Sequence, residues 1–166
     1  SRFPYALVGA LLLVLAAGAG WLVYDRLLGD DGGAPAAGTA ETRPSRAALK
    51  AYLDGGPAPP AIYERAQTYL RQGWAGESFL LLREAAEAGH GPSARAIARM
   101  YDPTSPADAP TPFSKPNAAE ALEWYDRAAA AGVDVSREKA DLRAWAEKEA
   151  SAGDREAARL LEGWTE

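Results

Sequence analysis

The sequence contains no cysteine. Disulfides, thiolate metal sites and cysteine nucleophiles are therefore excluded, although the absence assigns no compartment. It holds one histidine, His90. A multi-histidine metal centre is excluded, and a histidine-dependent triad would have to be built on that residue. Basic residues are not in surplus. Eighteen Lys and Arg face 23 Asp and Glu, for a net charge of −5. That balance argues against a general nucleic-acid binder, which must neutralise phosphates. Strand-like alternation of apolar and polar residues is missing, and no glycine-rich phosphate loop precedes a helix in the proper context.

What is present starts with an oily run. Pro4 to Tyr24 reads PYALVGALLLVLAAGAGWLVY, 21 residues without a charge. As a helix it would be roughly 31 Å long, the thickness of a bilayer core. Phe3 and Tyr5 at one end and Trp21 and Tyr24 at the other suit the headgroup level. The run predicts a transmembrane anchor within residues 1–28. Ala17-Gly18-Ala19 also resembles a signal-peptide cleavage site, but the apolar stretch continues past it through Tyr24. Arg2 on one side, against Asp25, Arg26, Asp30 and Asp31 on the other, predicts a cytoplasmic N-terminus and an external remainder. Ala6, Ala10, Ala17 and Gly20 form a stripe of small residues, and Ala16 with Gly20 a second small pair. Such spacing admits a neighbouring transmembrane helix, but an alanine-rich chain also places small residues everywhere.

Residues 29–44, GDDGGAPAAGTAETRP, have no apolar period and read as a flexible linker. From Ser45 the pattern predicts short helices with glycine stops, and no convincing strand. Ser45 opens a helix to Leu53, and Pro59-Pro60 lead one from Ile62 to Gln72. Others run from Glu77 to Ala88 and from Pro92 to Tyr101. Asn117, with Glu120 three residues on, has capping-box spacing. Ser136 and Asp154 open the last two. The fold class expected is all-α, with the helical domain at 45–166.

Three segments align on a terminal glycine: FLLLREAAEAG (79–89), LEWYDRAAAAG (122–132) and LRAWAEKEASAG (142–153). Leu81, Trp124 and Trp145 stand eight residues before Gly89, Gly132 and Gly153. Ala86, Ala129 and Ala150 stand three before. The large residue is expected to fill the space between helices, the alanine to admit a neighbouring backbone, and the glycine to supply a left-handed turn. Helix pairs of this kind cannot bury their apolar faces alone and stack into a solenoid. Over 83–132 the chain resembles the Sel-one-like repeat, a relative of the tetratricopeptide repeat. Gly89, Ser93, Ile97, Ala98 and Tyr101 follow its first-helix pattern. Ala121, Trp124, Tyr125, Ala128, Ala129 and Gly132 follow its second. The resemblance implies an α/α solenoid that presents a concave surface to other proteins.

One departure stands out. Where that family has a short turn, residues 102–116 read DPTSPADAPTPFSKP, with prolines at 103, 106, 110, 112 and 116. The stretch is either a tolerated surface insertion or a docking loop with Phe113 as its anchor. Catalysis is not expected. His90 has no nucleophile or orienting acid placed by spacing, and the acid pairs Glu84/Glu87 and Glu147/Glu149 are interleaved with cations. No cofactor, metal or small-molecule substrate is expected. The sequence reads as a single-pass bacterial inner-membrane protein with its helical domain in the periplasm. It would serve as a binding scaffold or accessory subunit, its partners other membrane subunits and, through 4–24, the bilayer. A stand-alone envelope regulator binding a protein or glycan is the alternative.

Overall fold

The computed structural model describes residues 42–164. The predicted anchor lies outside them, and with it Ala6, Ala10, Ala16, Ala17, Gly20 and Trp21. So does the linker up to residue 41. The chain divides between Thr42 and Arg43, and the described helices all belong to the second unit. Among the described residues the structure is all-α. Its helices are α1 (Arg46–Asp54), α2 (Pro59–Arg71), α3 (Ala75–Glu87), α4 (Gly91–Tyr101), α5 (Ala118–Ala130), α6 (Ser136–Ser151) and α7 (Arg155–Glu162). Among these residues no helix is long and apolar enough to cross a membrane.

The starts follow from side-chain acceptors for otherwise orphaned N–H groups. The Ser45 hydroxyl accepts from the Ala48 N–H at 3.2 Å, and Asn117 Oδ1 accepts from the Glu120 N–H at 3.2 Å. Asp154 accepts from Glu156 and Ala157. Ser136 departs from expectation. It is the first residue of α6, and Asp134 does the accepting, from the Ser136 N–H at 3.0 Å and hydroxyl at 2.7 Å. An aspartate two residues upstream offers its carboxylate to these donors, so the serine becomes donor instead of cap.

The stops share one geometry. At the end of α3, Gly89 takes φ +85°, its N–H donates to the Ala86 carbonyl and the His90 N–H to Ala85. At the end of α5, Gly132 takes φ +84°, with the bonds reaching Ala129 and Ala128. This is the Schellman arrangement, in which a left-handed glycine lets two carbonyls of the last turn be satisfied. Gly73 and Gly153 close α2 and α6 in the same way.

That geometry corrects the expected role of the alanine. Ala86, Ala129 and Ala150 give their carbonyls to the glycine N–H; Ala86 also packs, half-buried, against the core and Ala150 is half-buried, whereas the Ala129 side chain is exposed and does not seat the neighbour. The close-packed alanines stand one residue earlier, Ala85 and Ala128, both fully buried. One residue is about 100° of helix, enough to carry a side chain off the buried stripe.

Helices pack most closely in sequential pairs, α2 with α3, α4 with α5 and α6 with α7; α3 then packs on α4 and α5 on α6. One core runs through Ile62, Leu81, Leu82, Ile97, Tyr125 and Leu142. Each fully buried large side chain contributes about 1.5–3 kcal/mol of transfer free energy. Trp124 is 8% exposed; Tyr101 and Trp145 are half-buried against the core. Where α2 and α3 touch, Ser78 is fully buried and its hydroxyl donates to the Ala66 carbonyl at 2.8 Å. Where α4 begins, a Cβ on Gly91 would lie 2.6 Å from Val133 Cγ2, so only glycine lets α4 approach the end of α5.

Candidate functional site

α4 carries the site. Its inner face is Ala94, Ile97 and Ala98, all buried, while Arg95, Ala96 and Arg99 occupy the opposite side. The helix ends at Tyr101 with no glycine, so its last carbonyls need other donors. Proline has no N–H to give. The proline-rich segment supplies hydroxyls instead. Ser105 donates to the Arg99 carbonyl at 2.7 Å and Thr111 to the Met100 carbonyl at 2.8 Å; the Asn117 N–H donates to Tyr101 at 2.8 Å.

Two further contacts fix this segment. Asp102 is 6% exposed, and Tyr125, fully buried on α5, donates its hydroxyl to Asp102 Oδ2 at 2.7 Å. The Thr104 N–H and hydroxyl both donate to Asp102 Oδ1 at 2.7 Å. Burial, and then the hydrogen bond to Asp102, push the Tyr125 phenol far above its ordinary value, so it remains a donor. Phe113 closes the other end. Its ring stacks on Tyr101 at 4.0 Å between centroids and meets Phe79 edge-on at 5.2 Å.

Phe113 as an outward anchor is therefore corrected. The ring is engaged inside the protein, because two aromatic neighbours on α3 and α4 offer it more contact than solvent does. What the segment presents is the stretch between its pins. Ser105, Ala109 and Pro110 form one wall of a cavity of about 300 Å³, whose remaining lining comes from α2, α4 and Val133. Tyr63, Gln67 and Leu70 of α2 face Arg95, Ala96 and Arg99 of α4 across it. Further along, α4 and the start of α6 flank a more polar depression with Asp134, Ser136 and Glu138.

The electrostatics of the groove are uneven. Arg95 Nε donates to Glu138 Oε1 of α6 at 2.7 Å, which ties α4 to α6. Arg99 is exposed and forms no ion pair among the described residues. His90 sits at the start of α4 with Nδ1 2.9 Å from the Ser93 hydroxyl and its ring 5.3 Å from that of Tyr63. Burial pushes its imidazole below the ordinary value, which favours the neutral ring. Among the described residues no cluster of three or more His, Asp or Glu is arranged to hold a metal ion.

Sequence reasoning did not find Arg99, nor the Asp102–Tyr125 bond. A signal for the bond existed: a tyrosine on the buried face of a helix needs a partner for its hydroxyl. Ser105 and Thr111 among prolines were likewise the obvious donors for a helix end without glycine. No known family model, curated protein or solved structure matches the chain.

Proposed function

We propose that this protein is a membrane-tethered binding module. In this reading residues 4–24 anchor the chain in a bacterial inner membrane. The linker spaces a Sel-one-like solenoid into the periplasm, where it serves as an accessory or assembly subunit of a larger membrane complex. The observation that carries the reading is the groove itself. The first helices of two successive pairs, α2 and α4, face one cavity, as they would in a stack of helix hairpins. Support for the tether comes from the uncharged 21-residue run. Holding the module at the membrane raises its local concentration near a membrane partner, so modest affinity suffices. Binding is favoured over catalysis because the Ser93 hydroxyl, 2.9 Å from His90 Nδ1, is fully buried and out of a substrate's reach.

The test is extraction of native membranes in mild detergent. Stoichiometric co-migration of the chain with one large complex is expected, and a photocrosslinker at Ala96 should join it to a subunit of that complex. A chain that migrates free and crosslinks to nothing would support the regulator instead. A chain recovered from the soluble fraction, cut near Ala19, would remove the anchor.

A further inference from the structure

Resting on that reading, we propose that the α2–α4 groove receives an extended segment of a partner protein. That segment carries a carboxylate next to an apolar side chain, and Arg99 is the residue that meets the carboxylate. Charge carries the argument. The lining of the cavity includes Arg95 and Arg99 and no acidic residue, in a chain whose net charge is −5. Both arginines also line the adjoining depression with Asp102, Asp134, Glu138 and Asp141, so the positive character belongs to this cavity's wall and not to overall composition. Arg95 is committed to Glu138, whereas Arg99 forms no ion pair among the described residues. Its guanidinium offers a planar fork that matches a carboxylate by two parallel hydrogen bonds.

The remaining lining sets the rest of the occupant. Tyr63, Leu70, Ala96, Met100 and Val133 give apolar surface, and about 300 Å³ suits one apolar side chain with a short run of backbone. Gln67 stands in the same wall with an amide suited to a peptide backbone. The proline-rich wall is already held by Ser105 on one side of Pro110 and Thr111 on the other, so docking orders little new chain.

The experiment uses the full chain in detergent and three pools of degenerate, fluorescently labelled octapeptides. The pools share an apolar-rich background and carry Asp, Asn or Lys at one fixed central position. Anisotropy is read at low and at high salt. The Asp pool is expected to bind at least fivefold more tightly than the Asn pool and tenfold more tightly than the Lys pool, with the preference shrinking at high salt. Arg99→Glu should reverse the order of the Asp and Lys pools, and Arg99→Gln should abolish it. Arg155→Glu, the same charge change on α7, should leave it intact, with unchanged helical circular dichroism throughout. Equal binding of the Asp and Asn pools, no binding up to about 1 mM, or a preference that survives Arg99→Glu overturns the proposal. So does tighter binding of the chain's own 29–41 peptide, GDDGGAPAAGTAE, which would assign the groove to an internal segment. Crosslinking from Ala96 to a membrane subunit, together with no acid preference, would leave the binding module standing and remove only this inference.

Discussion

The α2–α3 and α4–α5 pairs are built alike and joined differently. In the first, a left-handed Gly73 and Trp74 turn the chain at once, with the Trp74 ring 5.4 Å from that of Tyr69. In the second, residues 102–117 travel around the end of α4 before α5 begins. Both pairs nevertheless bury the same kind of stripe, Ile62 and Ala66 against Leu81 and Ala85, and Ile97 and Ala98 against Ala121 and Tyr125. Helix pairing here is decided by the faces, not by the connection. Closing a longer loop costs little extra entropy. The α4–α5 connection is thereby free to build a wall of the groove, a task a three-residue turn has no length to perform.

If the faces decide pairing, the largest effect must come from a face. Ile97→Ala should cost about 2–5 kcal/mol in urea denaturation, more than any change in the connection. A cost no greater than that of the loop variants would break the comparison. Tyr125→Phe comes next. It leaves the buried Asp102 carboxyl without one donor and should cost about 1–3 kcal/mol, with faster proteolysis between residues 103 and 110. An unchanged cleavage rate would mean the long connection is not locked where Asp102 holds it.

Two smaller changes set the connections side by side. Gly73→Ala forces a Cβ into φ +77° and should cost about 1–2 kcal/mol. Phe113→Ala removes one ring from the Phe79–Tyr101–Phe113 cluster and should cost about 1–2 kcal/mol. Gly73→Ala should lower stability with the groove intact, whereas Phe113→Ala should also weaken octapeptide binding. Equal binding by the two variants would show that the loop wall plays no part in docking.

The smallest expected effect lies where the chain enters the unit. The Arg43 guanidinium donates to Glu77 at 2.8 and 3.0 Å, and that hydrogen bond holds the Glu77 carboxyl below the ordinary glutamate range. A carboxyl lowered in the folded state adds stability that is fully present above its unfolded pKa and is lost as pH falls through the folded one. Stability should therefore decline slightly as pH drops below the usual glutamate range. Glu77→Gln should remove that part of the slope, measured as the urea midpoint against pH. An identical slope in the variant would show that Arg43 contributes nothing at this boundary, in line with its exposure.

Much of this architecture is legible in the residues alone. Ser45, Asn117 and Asp154 announce helix starts because a short oxygen before an apolar period has one good use there. Gly89, Gly132 and Gly153 announce stops because other residues meet a steric penalty at positive φ. The errors are equally local. Ala129 lies one residue from the buried stripe, and alanine next to alanine gives periodicity nothing to choose between. Phe113 could point outward or inward with the same neighbours in sequence.

What the sequence determined alone is whatever depends on a few adjacent residues: the helices, the caps at Ser45, Asn117 and Asp154, the glycine stops and the uncharged run at 4–24. The tertiary structure decided where the proline-rich segment lies, which arginine of α4 forms no ion pair among the described residues and what Tyr125 holds. Those outcomes join residues far apart in the chain, as Asp102 to Tyr125, Phe79 to Phe113 and Arg95 to Glu138 show. A local pattern fixes backbone angles, but only packing fixes which distant side chains share a space.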